Sequence, residues 1–187
     1  MKVRREYLAA LLAFAATDDS RPVLTGAWVT GSEIAAADGF TLAVAPCEEA
    51  GVLDGKILSI AAIKLALKVI PRRTEFVRFR GHKEHAYIIG EFGMFKVPYI
   101  EGTAPNYNQL IRPDQLEVSS EKVAVNAAYL SRVATAAKAF AGSGIVRIRL
   151  GETPKEAVEF HCQAEGAPPM RFVVMPMFVH WEKEAAS

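Results

Sequence analysis

Cysteine is nearly absent from this chain: two residues in 187, Cys47 and Cys162. Two thiols make neither a zinc cluster nor a disulfide framework, so both are expected to be free, in a reducing cytoplasmic setting. An excess of charge of one sign is absent too. Lys and Arg total 22 against 21 Asp and Glu, a net charge of +1. That excludes a strongly basic tail or coat protein, but a local basic stripe still suffices to bind phosphates. No apolar run approaches the ~20 residues that a membrane span needs. The run Leu8–Ala16 is closely flanked by Arg4, Arg5 and Glu6, so neither a signal peptide nor a membrane partner is expected. No Gly-rich run precedes a helix with Lys-Ser or Lys-Thr, so there is no phosphate loop.

Catalytic constellations are sparse as well. His82-Lys83-Glu84-His85 falls in an expected hairpin turn with no third ligand near it in sequence, and is read as exposed and metal-free. His161 and Cys162 are neighbours in an expected strand, so their side chains should point to opposite faces and not form a thiol–imidazole pair. No catalytic residue, metal or cofactor is expected, and the chain reads as a non-catalytic protein.

A core is clearly affordable, with 51% hydrophobic and 23% charged residues. Its organisation is a repeat. Three times a Lys opens a short β-like run and a helix follows: Lys2-Val3-Arg4 before Glu6–Phe14, Lys56-Ile57-Leu58 before Ala61–Ile70, and Lys122–Val125 before Ala127–Lys138. Ala and Leu favour helix, and the apolar residues recur at helical spacing. Thr17–Ser20, Pro71 and Gly142-Ser143-Gly144 end the three helices. Three short strands follow each helix. They are Pro22–Thr30, Ile34–Ala37 and Phe40–Ala45, with the hairpin signal Asp38-Gly39; then Glu75–Arg80, Ala86–Ile89 and Met94–Tyr99; then Ile145–Leu150, Ala157–Cys162 and Arg171–Met177. In Phe76–Arg80 the rings are expected on one face and the arginines with Val77 on the other.

The chain is therefore expected to be α+β: three βαβββ units with helices on one face of antiparallel sheets. The units cover roughly 1–50, 52–111 and 120–178. Two units together can close a domain, because one alone leaves its sheet edges and helix face bare. Residues 1–111 form one complete domain on this reading, 112–119 a linker, 120–178 a half-domain and 179–187 a tail. Unit three is then left with a bare edge and helix face, and a homo-oligomer that pairs unit three with unit three is expected.

Three stretches carry a resemblance. Ala36–Val44, Ala104–Ile111 and Phe172–Met177 resemble, in that order, the Ala-Thr-Asp-Gly-His-Arg-Leu-Ala, Phe-Pro-Asp-Tyr-Arg-Arg-Val-Leu and Tyr-Val-Val-Met-Pro-Met segments of DNA sliding clamps, the β subunit of bacterial DNA polymerase III. The match is to the middle domain plus the second half of the last domain. The family's His and Arg after Asp-Gly are Phe40 and Thr41 here, and its two link arginines are Asn108 and Gln109. The first domain and the first half of the last have no counterpart.

In that family the helices face double-stranded DNA. The matching helices here are basic. Lys56, Lys64, Lys68, Arg72 and Arg73 occur between Gly55 and Thr74 without one carboxylate, and Lys122, Arg132 and Lys138 lie between Lys122 and Phe140, again without one. Lys64 and Lys68, four apart, share a helix face. Arg4, Arg5, Lys64, Lys68, Arg72, Arg73, Arg132 and Lys138 are the expected DNA contacts, made to phosphates without reading bases; an ordinary solvated face is the bland alternative. The family also docks hydrophobic peptide motifs of DNA polymerases and repair proteins between its middle and last domains. The matching positions are Leu42, Pro105, Leu110, Val173, Met175, Pro176 and Met177. Apolar and Met side chains suit such a groove, although Val173–Met177 also reads as a core strand and Phe178 and Trp181 of the tail as possible fillers. The resemblance implies a sliding-clamp-like processivity factor. The alternative is a clamp-derived interaction module or clamp modulator that does not encircle DNA.

Overall fold

The structure, a computed structural model, describes residues 1–18, 20–111, 123–141, 145–151, 153 and 155–177. Its elements recur in order. First come β1 (Lys2–Arg4), α1 (Arg5–Leu11), β2 (Gly26–Thr30), β3 (Glu33–Ala37) and β4 (Thr41–Pro46). Next are β5 (Ile57–Ser59), α2 (Ile60–Val69), β6 (Phe76–Gly81), β7 (His85–Gly90) and β8 (Gly93–Ile100). Last are α3 (Ala127–Ala141), β9 (Arg147–Arg149), β10 (Val158–Cys162) and β11 (Met170–Val174). Ahead of α3, Ala124 forms an isolated antiparallel bridge to Met177 where a strand over 122–125 is expected. Lys122, residues 112–119, Gly142-Ser143-Gly144 and the tail with Trp181 lie outside the described residues.

Two boundaries differ from expectation for local reasons. Pro22–Thr25 is a 3-10 turn and not the start of a strand. Pro22 has φ fixed near the helical value and no N–H for a ladder, and the Thr25 hydroxyl donates to its carbonyl at 2.8 Å. Helix α1 stops at Leu11, after which Ala13 and Phe14 donate to Ala10 and Leu11 in tighter bonds of 3.1 and 3.0 Å. The start of α2 is capped, since the Ser59 hydroxyl accepts from the Ala62 N–H at 3.1 Å.

The strands form an antiparallel sheet in the order β1-β6-β7-β8-β5-β2-β3-β4-β11-β10-β9. Each of the first two repeats lends its opening strand to the other: β1 pairs with β6, and β5 lies between β8 and β2. Lys2 also exchanges backbone bonds of 2.7 and 2.8 Å with Glu48, just past β4. The third repeat joins through β11, which pairs with β4 from Arg171↔Val44 to Val174↔Thr41.

Period-2 alternation sorts β2 and β4 onto two cores. Ala27 and Val29, Ala43 and Ala45 face the larger cluster, which the helices cover. Trp28, Leu42 and Val44 face a second cluster with Leu24, Ile57, Tyr107 and Val173. Both faces of these strands are buried, which is why they read as continuous apolar runs.

Helix α1 touches both α2 and α3. Tyr7 packs on Phe140 of α3 with ring centroids 4.8 Å apart and donates its hydroxyl to Pro168 O at 2.8 Å. The helix of the third repeat thus has its partner inside the chain, and so does its strand β11. This corrects the expectation that unit three is bare on both counts; β9 still ends the sheet. The alternation in β6 is corrected too. Val77 and Phe79 are buried, whereas Phe76 shares the other face with exposed Arg78 and Arg80. Phe76 is covered there by cations, with Lys2 Nζ 3.9 Å and the Arg4 guanidinium 5.4 Å from its ring centre.

Candidate peptide groove and nucleic-acid face

Leu42 and Val173 are direct partners across the β4–β11 ladder. Their side chains belong to the smaller core, and that core opens outward into a groove of about 570 Å³. Four of the expected peptide-contacting residues line it: Leu42, Pro105, Val173 and Met175. Met175 is 36% exposed, so it is not sealed in the core, and its N–H donates to Phe40 O at 3.0 Å. Pro176 and Met177 do not line the groove. Met177 lies beyond it and donates its N–H to Ala124 O at 2.7 Å. Leu110 ends a one-turn 3-10 helix, Asn108–Leu110, and its neighbour Gln109 lines the groove.

Sequence reasoning missed Arg21, Leu24, Trp28, Phe40 and Tyr107, which line the same groove. Phe40 carried a signal, because it follows the Asp-Gly turn and is 59% exposed. Its ring stacks on Tyr129 of α3, 6.2 Å between centroids.

The chain segment carrying Pro105 is held from below. The Tyr107 ring lies 6.1 Å from Trp28, and its hydroxyl donates to Glu33 Oε2 at 2.9 Å. The other Glu33 oxygen accepts from the Arg171 guanidinium. One carboxylate of the first repeat therefore fixes both the link and β11. Burial first, and then the Glu33 charge, push the Tyr107 phenol far above its usual range, so it remains a donor.

The Asp-Gly turn is fixed in the same way. Asp38 Oδ1 accepts from the N–H groups of Phe40 at 3.0 Å and Thr41 at 2.8 Å, and Oδ2 pairs with Arg132 of α3. Burial alone would raise the Asp38 carboxyl. The two backbone donors, then Arg132 and the Thr41 hydroxyl, outweigh it and hold the group below the ordinary carboxylate value. Gly39 sits at φ 94°, where only glycine is relaxed.

The expected DNA contacts divide into two groups. Lys64, Lys68, Arg72, Arg73 and Lys138 are exposed, and among the described residues no carboxylate pairs with them. Arg4, Arg5 and Arg132 are engaged within the protein. Arg4 pairs with Glu75 at 2.8 Å. Arg5 donates to the carbonyls of Leu67 and Ile70, the latter at 2.9 Å, and so satisfies the C-terminal end of α2. Arg132 pairs with Asp38.

Among the described residues no group of three or more His, Cys, Asp and Glu is placed to hold a metal, and no helix is long and apolar enough to cross a membrane. Cys47 and Cys162 are buried, and burial pushes each thiol up to about 11, away from the reactive thiolate. His82 is exposed, but His85, read from sequence as part of an exposed turn, begins β7 and is 9% exposed, its ring stacked 4.4 Å from that of His82.

No protein-family model and no curated protein matches the sequence. Solved structures do match the fold. The DNA polymerase sliding clamp of Pseudomonas aeruginosa, crystallised with a ligand, superposes with a TM-score of 0.70 at 15% identity, over 96% of this chain and 66% of that one. The H. pylori β clamp in complex with diflunisal gives 0.73 at 14% identity, over 95% and 66%. The C. crescentus β sliding clamp, with polyethylene glycol in the region assigned to β-motif tethering, gives 0.68 at 19% identity, over 96% and 65%. This chain has the α+β sliding-clamp fold in reduced form, and spans about two-thirds of the length of the clamps it matches.

Proposed function

We propose that this chain is a sliding-clamp-like accessory protein that docks a hydrophobic peptide of a replication or repair protein in the Leu42–Met175 groove and holds that client beside double-stranded DNA. The observation that carries the reading is the groove itself. It is apolar, lies where the first and third repeats meet, and joins Leu42, Pro105, Val173 and Met175 from three separate stretches of chain. Exposed Met175 and Phe40 at its rim suit an extended or turn-forming peptide with bulky apolar anchors. Duplex contact is assigned to Lys64, Lys68, Arg72, Arg73 and Lys138, the exposed cations of two carboxylate-free helices and the turn after α2. They meet phosphates and read no bases, and the role asks for no chemistry from the chain.

Residues 1–111 serve as a complete clamp-like domain in this account, supported by the exchange of β1 and β5 between the first two repeats; residues 120–178 serve as a half-domain. A homo-oligomer supplies what encirclement needs. The second reading is an interaction module or clamp modulator that does not encircle DNA. It is favoured by the internal pairing of Arg4, Arg5 and Arg132, which leaves five of the eight expected contacts available. The deciding experiment titrates a labelled hydrophobic client peptide and a labelled duplex separately and follows fluorescence anisotropy at several salt concentrations. Saturable binding of both, with only the duplex steeply salt-dependent, supports the first reading. Peptide without duplex supports the second, and neither refutes both.

A further inference from the structure

Strand β6 sends its side chains to two faces. Val77 and Phe79 enter the core that the helices cover, so Phe76, Arg78 and Arg80 stand on the opposite face of the sheet. Neighbouring strands add to that face in register. Lys2 of β1 lies opposite Arg78, Tyr87 of β7 opposite Arg80, and Lys96 of β8 opposite Tyr87. A row across three strands therefore reads Arg80, Tyr87, Lys96, with a ring between two cations. Lys2 and Arg4 are engaged, by Glu48 at 2.9 Å and Glu75 at 2.8 Å. Arg78, Arg80 and Lys96 are exposed, and among the described residues no carboxylate pairs with them. At the start of β6 the face sinks into a cavity of about 530 Å³, walled by Phe76 and Ile89 and bordered by Arg73 and Arg78. Glu75 and Glu91 line it as well.

We propose that this outer face of the second repeat binds single-stranded DNA, with phosphates on Arg78 and Arg80 and one base stacked in the Phe76 cavity. Arg78 and Arg80 are two residues apart on one strand, roughly 6.6 Å, a step comparable to that between successive phosphates of an extended single strand. Cations beside aromatic rings are what such a strand requires, one for its backbone and the other for its bases. The cavity selects against a duplex, because a base reaches Phe76 only when it is unpaired and unstacked. An acidic peptide fits less well. Its carboxylates would meet the apolar Phe76–Ile89 wall and the carboxylates of Glu75 and Glu91, whereas a base stacks on the wall and offers amino groups to those acids. The site shares no lining residue with the Leu42–Met175 groove. Arg73, assigned above to the duplex, borders the cavity, so the test leaves it unchanged.

The test is fluorescence anisotropy of the full chain with a labelled, non-self-complementary DNA strand of about 12 mixed bases, within the span that such surfaces cover, over a series of salt concentrations. The wild type is expected to bind it saturably. Arg78→Glu with Arg80→Glu, both at exposed positions, is expected to weaken binding about tenfold or more and to flatten the log-affinity against log-salt slope by about 0.7 per lost contact, with the thermal melt and the affinity for duplex unchanged. An abasic strand of the same length and charge is expected to bind the wild type about fivefold or more weakly than the strand with bases, through loss of stacking. A strand that does not bind overturns the proposal. So does a double variant that binds the strand as the wild type does, or one that loses duplex by the same factor. An abasic strand or poly-glutamate of matched charge that binds as tightly as the strand with bases also overturns it, because the face would then attract polyanions in general.

Discussion

Leu42 and Val173, 131 residues apart in sequence, face each other as partners in the β4–β11 ladder and share a cluster with Trp28 and Tyr107. On the proposed reading the pair has two roles. It closes the first repeat against the third, and it forms the floor on which a docked side chain would rest. The two roles imply that substitutions around the groove separate by burial.

Leu42→Ala is expected to lower stability as well as peptide affinity, because Leu42 is 2% exposed and truncating a buried Leu typically costs about 2–5 kcal/mol. Met175→Ala, at the rim, is expected to leave the melting temperature nearly unchanged while weakening a hydrophobic client peptide by ~1–2 kcal/mol, with duplex binding intact. Calorimetric melts beside peptide titrations check both. Equal effects of the two substitutions on stability would contradict the assignment of rim and floor.

The basic residues separate in the same manner. Lys64→Glu with Lys68→Glu is expected to weaken duplex binding across all sequences and to flatten the log-affinity against log-salt slope by about 1 per lost contact. Arg5→Gln is expected to leave that slope alone and to destabilise the fold by about 1–3 kcal/mol, through loss of the charged donor at the end of α2. A flattened slope in the Arg5 variant would place that guanidinium on the DNA instead.

Acidification should act through His85. Burial first, then the Lys96 and His82 charges, lower its pKa against the opposing pull of Glu84, and among the described residues its buried Nε2 meets no hydrogen-bond partner. The imidazole therefore takes up a proton less readily in the folded chain than in the unfolded one, where it does so near the ordinary value of about 6.5. A group whose folded pKa is depressed contributes stability that is present above the unfolded value and lost as pH falls toward the folded one. Urea midpoints are expected to drop as pH goes below that value, with a smaller drop in His85→Phe. Identical pH profiles would remove His85 from the account.

Gly26→Ala tests the strand exchange. An added Cβ would stand 2.7 Å from both Ile57 Cγ2 and Leu58 O and 2.8 Å from Ile100 Cδ1, inside the β2–β5–β8 junction. Since one of these is backbone, the strands must part, and a loss of ~1–3 kcal/mol or more in stability is expected from overpacking. A melt equal to wild type would contradict the close approach.

The repeat was legible because each helix carries its own apolar period and Asp38-Gly39 its own turn. The strand partners were not, since β1 pairs with β6 of the second repeat and β5 bridges β8 of its own repeat to β2 of the first, and nothing local in Lys2–Arg4 specifies Phe76–Arg78 as neighbour. Leu42, Val173 and Met175 were legible through their segments. Trp28 was not, because β2 is buried on both faces and its pattern does not say which face opens to solvent. The engagement of Arg132 by Asp38, 94 residues away, is a contact that only the tertiary fold creates, and the same holds for Arg5 with Leu67 and Ile70. Acid-free sequence around a cation therefore overstated how many cations are available.

The most direct measurement of the groove is a methyl NMR titration of the methionines with a hydrophobic client peptide. The chain has five, of which Met175 lines the groove while Met1 and Met94 lie elsewhere. The account predicts that the Met175 methyl shifts saturably with peptide while Met1 and Met94 stay in place. A Met175 signal that does not move at saturating peptide, or one that moves no more than Met94, would contradict it.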